Sequence, residues 1–149
     1  MVTTVGTETD FIDMLNNLIR LDFDAIDAYE AAVDRLERRS DAEQLRAFQA
    51  DHERHTREVA AIVRDLGGTP ATAGDAKSML TTGKVLLADL IGDKAVLRAM
   101  KTNEDDTNTA YERAVRHGSK TPAANEVLQR NLCDERRHRS WIEEAINRL

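Results

Sequence analysis

Apolar residues recur along this chain at alternating spacings of three and four, the period that lines one face of an α-helix. The first stripe lies within about Thr9 to Arg38 and reads Leu15, Ile19, Asp22, Ile26, Tyr29, Val33 and Leu36. A second begins near Ser40 and reads Leu45, Phe48, His52, His55, Val59, Ile62 and Leu66. The phrase SDAE at Ser40 to Glu43 has the form of a capping box, which predicts a new helix after a very short turn and an antiparallel return. LGGTP at Leu66 to Pro70 ends that helix, because either glycine can take the left-handed C-terminal conformation and Pro70 blocks continuation.

Residues 69 to about 92 break the pattern: a small, polar run, TPATAGDAKS, precedes the apolar MLTTGKVLLADLIG. That composition predicts a crossover containing a short helix. A third helix, about Asp93 to Gly118, carries Leu97, Met100, Glu104, Tyr111 and Val115. The fourth starts at about Pro122, a favoured first helical residue, and carries Leu128, Glu135, His138, Ile142, Ala145 and Leu149.

The two halves repeat. AYEAAV at Ala28 to Val33 returns as AYERAV at Ala110 to Val115, offset by 82, and DHERH at Asp51 to His55 aligns with DERRH at Asp134 to His138, offset by 83. Short turn, long crossover and short turn then predict an all-α, single-domain four-helix bundle over residues 1–149, built from two repeated antiparallel hairpins about a pseudo-twofold axis.

Composition narrows the partners. No apolar run approaches the roughly 18 residues that span a bilayer, and MVTTVGTETDF lacks the basic flank and apolar core of a signal peptide, so a cytoplasmic protein with no membrane partner is expected. The net charge of −6, with no basic block interleaved with aromatics, argues against nucleic acid. Cys133 is the one cysteine, which excludes an intrachain disulfide and a thiolate metal cluster. Any metal site must use carboxylates and imidazoles.

Those residue types are the ones that interrupt the apolar stripes. Superposing the repeats pairs Asp22 with Glu104, His52 with Glu135, His55 with His138 and Tyr29 with Tyr111. A lone histidine in such a stripe is ordinarily a satisfied core residue. Three carboxylates and three imidazoles aligned by a repeat demand compensation for their burial, which a pair of divalent cations supplies directly. Nitrogen and oxygen donors suit iron, manganese or zinc. Glu30 and Glu112 also repeat and compete with Asp22 and Glu104, but facing and the tyrosine spacing favour the latter pair. His117, at a helix end, reads as structural, and Cys133 and Trp141 flank their stripe without a functional role.

Here the chain resembles the ferritin-like superfamily, including bacterioferritin and rubrerythrin, over nearly its full length. That superfamily places one Glu on each of two helices and Glu-x-x-His on each of the other two. Glu135, Arg136, Arg137 and His138 match the second element completely, and Glu104 followed by Tyr111 matches the carboxylate-then-tyrosine spacing, repeated by Asp22 and Tyr29. The phrase LNNLI, and ED ahead of AYE, are similar to those of small bacterial ferritin-like proteins of unknown function. The resemblance implies a dinuclear iron site with Asp22, His52, His55, Glu104, Glu135 and His138 as ligands and Tyr29 and Tyr111 hydrogen-bonded behind them. Departures lie at His52, where the superfamily has a bridging carboxylate, and at Asp22. Asp51 could supply the missing carboxylate after a helix rotation; Glu53 fits the periodicity less well.

Two functions follow. One is a metal-binding protein that takes Fe(II) and reacts it with oxygen or peroxide, as a ferroxidase or peroxidase would. The other is a metal-free helical interaction or stress-response adaptor protein, acting for instance as a homodimer.

Overall fold

The computed structural model describes residues 2–74, 87 and 90–149; the short helix expected in the crossover lies, Leu87 apart, outside them. Four helices are described: α1 (Phe11–Arg35), α2 (Arg39–Asp65), α3 (Asp93–Ala114) and α4 (Pro122–Arg148). Several of the helix ends are set by local chemistry. The Asp10 carboxylate accepts from the Asp13 N–H at 2.8 Å, and the Thr121 hydroxyl from the Ala124 N–H at 3.2 Å, with Pro122 in the first turn of α4 as its sequence predicts.

The start of α2 departs from the expected capping box. Its N-cap is Arg38, whose side chain makes no capping bond, and Ser40 already lies within the helix. The chain leaves α1 extended at Leu36 (φ −70°, ψ 130°), so the turn's N–H groups meet the beginning of α3. There the Asp93 carboxylate accepts from the Glu37 N–H at 2.8 Å and the Arg38 N–H at 3.0 Å. A carboxylate from another helix does the work expected of a local one.

The far end of α2 follows expectation. Gly67 takes φ +83°, the Gly68 N–H donates to the Val63 carbonyl at 2.9 Å and the Gly67 N–H to the Arg64 carbonyl at 2.9 Å. That pair of bonds caps the orphan carbonyls in a Schellman arrangement. The third helix stops at Ala114 rather than near Gly118, because the Arg116 and His117 N–H groups fold back onto the Arg113 and Ala114 carbonyls in tight turns.

Helix α1 packs on α2 and α3 on α4, and the two hairpins meet through α1 with α3 and α2 with α4. Cross-contacts set the directions: Tyr29 reaches Glu104 and Tyr111 reaches Asp22, so α1 and α3 are antiparallel. His55 with Asp134 and His138 with Asp51 make α2 and α4 antiparallel as well. It follows that α2 and α3 run the same way, and the crossover must traverse the bundle. With 27 residues, α2 is about 40 Å long at 1.5 Å per residue. That distance explains why this connection is long while the others are short.

The apolar core falls into two clusters. One gathers Met14, Leu15, Leu18, Ile19, Val59, Val63, Ala110, Tyr111, Leu128 and Leu132; the other gathers Tyr29, Leu45, Phe48, Leu97, Met100 and Ile142. Between them lies a layer of fully buried ionisable side chains. Among the described residues, no helix is long and apolar enough to cross a membrane.

Because Asp93 links the α1–α2 turn to α3, Asp93→Ala should destabilise the bundle by about 1 kcal/mol, as loss of a capping carboxylate does. Thermal unfolding should register this as a Tm roughly 2–4 °C lower. An unchanged Tm would show that water replaces the cap without penalty.

Candidate metal centre

The middle layer takes one carboxylate each from α1 (Asp22), α3 (Glu104) and α4 (Glu135), and imidazoles from α2 (His52, His55) and α4 (His138). All six are at most 1% exposed. The spacing i, i+3 puts His52 with His55, and Glu135 with His138, on the same side of their helices. The structure therefore gathers the six residues that the apolar stripes singled out into one cluster. Glu30 is exposed, accepts from Gln49 at 2.9 Å and belongs to neither donor set, and Glu53 is also exposed. Glu112 is half-buried and takes no part in the two donor sets.

Among the described residues two overlapping donor sets are present: Asp22, His52, His55 and Glu135, and His52, Glu104, Glu135 and His138. Within each, one ligand atom per residue lies within 4.8 Å of every other. In the first, His52 Nδ1 is 2.8 Å from Asp22 Oδ1 and 3.5 Å from Glu135 Oε1, while His55 Nδ1 is 3.4 and 3.2 Å from the same two oxygens. These separations approach the ~3.4 Å edges of a tetrahedron around an ion with bonds of about 2.0–2.1 Å. The second set is slightly wider: His52 Nε2 to Glu104 Oε1 is 3.3 Å, and His138 Nδ1 to Glu104 Oε1 and Glu135 Oε2 is 3.6 and 3.8 Å.

Orientation is fixed from outside. His55 Nε2–H donates to Asp134 at 3.0 Å and His138 Nε2–H donates to Asp51 at 2.8 Å. Each imidazole thus turns Nδ1 inward, the carboxylate–histidine arrangement that typically presents a metal-ligating ring. Arg137 donates to Asp51 at 2.7 Å and Arg54 to Asp134, so these two aspartates carry their own counter-charges. Asp51 is consequently not a substitute bridge: it faces the outer edge of His138. Its role was missed in the sequence, although the signal was there, since Asp51 and Asp134 open the two copies of the repeated motif.

The tyrosines cross between hairpins. Tyr29 donates its hydroxyl to Glu104, and Tyr111 donates to Asp22 at 2.6 Å. Burial, together with the facing carboxylates, holds both phenols well above their usual range, so they remain donors. Further support comes from residues the apolar stripes passed over. Thr107 donates to Glu104 Oε2 at 3.2 Å, and the Asn108 amide donates to the backbone carbonyls of Glu104 and Glu135 at 2.8 and 3.0 Å. His117 Nε2–H donates to the Glu8 carbonyl at 2.9 Å and anchors the N-terminal segment, a structural role.

Charge decides what the layer can bind. Burial alone would lower the His52 imidazole, but the charge of Glu135 and bonds to Asp22 and Glu104 raise it to about 9. Burial likewise opposes protonation of His55 and His138, and the carboxylates around each raise both to about 11. Burial would raise Asp22, yet the two histidines hold it near 2, and Glu104 is likewise held well below its ordinary range. Without metal, three imidazolium charges balance three carboxylates. Even so, both oxygens of Glu135 and His138 Nδ1 are buried without a hydrogen-bond partner among the described residues. Orphaned atoms of this kind are rare in protein interiors, and here they converge on the two donor sets. The residues present fit divalent cations, and the buried cluster could hold a metal ion.

Two outcomes are expected. In metal-free protein the raised histidines contribute stability that is complete below about pH 6.5 and disappears as pH rises through about 9 to 11. Tm should therefore fall by roughly 10 °C between pH 6.5 and 10 with chelator, whereas metal-loaded protein should resist this loss because ligation needs the deprotonated rings. Parallel thermal scans check it, and identical profiles would refute the layer's ionisation. Second, Asp51→Asn or Asp134→Asn should weaken metal affinity about 10–100-fold without emptying the site, measured by competition with a chromophoric chelator.

A family model described as a domain of unknown function (DUF2383) matches residues 10–117. That span takes in α1 to α3 and stops before α4, with Glu135 and His138. No curated protein and no solved structure matches the chain.

Proposed function

The chain belongs to the DUF2383 family, and from the chemistry of its buried layer we propose that it is a ferritin-like metal protein whose site takes up two iron ions as Fe(II) and reacts with oxygen or peroxide. The observation that carries this reading is the convergence of Glu135 Oε1 and Oε2 and His138 Nδ1, all buried and without a hydrogen-bond partner among the described residues, on two donor sets of nitrogen and oxygen atoms. Burying unpaired polar atoms is costly, and cations relieve that cost. Iron rather than manganese or zinc rests on the resemblance of the ERRH phrase and of the Glu104 to Tyr111 spacing to ferritin-like proteins; all three metals accept these donors.

Asp22, His52, His55 and Glu135 would hold one ion, and His52, Glu104, Glu135 and His138 the other. When bound, the iron pair would supply electrons to oxygen or peroxide. The chain's own part is to prepare that chemistry. Asp134 and Asp51 keep His55 and His138 turned inward by holding the outer ring proton of each. Tyr111 fixes Asp22 Oδ2 and leaves Oδ1 directed at His52 and His55, while Thr107 holds Glu104 Oε2 and Tyr29 donates to Oε1, the oxygen that faces His52 and His138. Phe48, stacked 4.3 Å from His138, and the apolar clusters on either side keep bulk water from the layer. Such preorganisation spares the ligands a rearrangement when the metal arrives.

A second reading also has an observation behind it. Protonated imidazoles balance the carboxylates without any ion, and such a network can fix helix register in an adaptor that never binds metal. Metal content separates the two. After anaerobic Fe(II) loading and desalting, plasma mass spectrometry should find about two irons per chain, and Glu135→Gln, which removes the shared charge at constant volume, should lose stoichiometric binding. Two irons retained in the variant would sink the ligand assignment, and no metal in the wild type would leave the adaptor.

A further inference from the structure

We propose that His52 bridges the two cations, one ring nitrogen to each, so that the centre is spanned by an imidazole as well as by Glu135. This inference rests on the metal reading above and adds how the two positions are joined. The geometry is direct. His52 Nδ1 faces the first donor set, 2.8 Å from Asp22 Oδ1 and 3.5 Å from Glu135 Oε1; Nε2, on the opposite edge of the ring, faces the second, 3.3 Å from Glu104 Oε1. The other two histidines differ. Each spends Nε2 on an aspartate outside the layer and has a single nitrogen to offer. Among the described residues His52 has no such outer partner: both of its nitrogens look inward, at carboxylates belonging to different donor sets.

Its place in the repeat points the same way. His52 is the counterpart of Glu135, and Glu135 is the other residue common to both sets, with Oε1 toward His55 and Oε2 toward His138. The two shared residues therefore occupy equivalent positions across the pseudo-twofold axis, where one side chain serves both halves. Charge agrees. Both nitrogens of His52 can ligate only after the ring has released its two protons to solvent as the ions enter, and the imidazolate so formed cancels the one positive charge that two divalent cations leave against Asp22, Glu104 and Glu135.

An imidazole bridge sets a different spacing from a carboxylate bridge. Two metal–nitrogen bonds of about 2.0–2.1 Å either side of a ring roughly 2 Å wide place the ions roughly 6 Å apart, against the ~3.5–4 Å of compact two-metal sites. The test is an anomalous difference map from crystals of the intact protein loaded with Co(II), used here as a probe. Two peaks roughly 6 Å apart, one beyond each nitrogen of His52, are expected. In His52→Glu, which copies Glu135 onto the matching position, the peaks should close to under about 4 Å. Two peaks already within 4 Å in the wild type, or a single peak, would overturn the bridge while leaving a metal centre. No peak in the wild type would overturn the metal reading itself, and with it this one. Should the variant fail to fold, the wild-type separation alone decides.

Discussion

Ionisable groups sealed from water must balance their own charge, and this constraint organises the bundle. Asp22, Glu104 and Glu135 meet His52, His55 and His138 in a layer that the apolar clusters close from both ends. Neither hairpin is self-sufficient. The first brings one carboxylate and two imidazoles, the second two carboxylates and one imidazole, so balance exists only when they assemble. The bonds that orient the ligands cross the same seam: Tyr29 to Glu104, Tyr111 to Asp22, His55 to Asp134 and His138 to Asp51.

Apolar packing alone tolerates sliding, since leucine and alanine faces fit one another in several registers. A polar layer does not, because displacement by one helical turn would bury carboxylates against hydrocarbon at a cost of several kcal/mol each. The layer therefore selects one register, and the two apolar clusters supply the burial that holds it. Topology then follows from direction. With every neighbouring pair antiparallel, α2 and α3 run the same way, and the chain needs a connection as long as the bundle. The Asp93 carboxylate, reaching back to the α1–α2 turn, fixes where that connection must end.

Much of this was legible in the sequence because helical periodicity converts position into direction. Polar residues inside apolar stripes had to face inward, and the repeat stated which would meet. The six ligand candidates and the two tyrosines come together for that reason. Two features escaped. The cap of α2 was assigned to SDAE, a local motif, whereas the carboxylate that serves it lies more than fifty residues away, a relation no local pattern encodes. Asp51 and Asp134 also escaped as orienting groups, because they sit at the edge of their stripes and period alone cannot distinguish an edge residue in solvent from one that hydrogen-bonds a neighbour's ligand. Thr107 and Asn108 are hidden for a related reason: small polar residues in a helix carry no signature until their partners are placed.

The exchange of carboxylate for imidazole between Glu135 and His52 also has a physical logic. Positions away from a pseudo-twofold axis serve a single half, so Asp22 and Glu104, or His55 and His138, are free to differ only within one set of neighbours. A position at the axis serves both halves, and its side chain must offer donors on two opposite sides. Carboxylate does so through two oxygens. Imidazole does so through two ring nitrogens directed apart, both of them acceptors once the ring protons have left, whereas an amide offers one oxygen acceptor beside an NH₂ that can only donate. Histidine opposite Glu135 thus still faces both donor sets, as an imidazolium without metal and, in the proposed centre, as an imidazolate. The buried layer closes its charge as three imidazolium–carboxylate pairs without metal, and in the proposed centre two divalent ions would take the place of the protons that face the carboxylates and of both protons of His52.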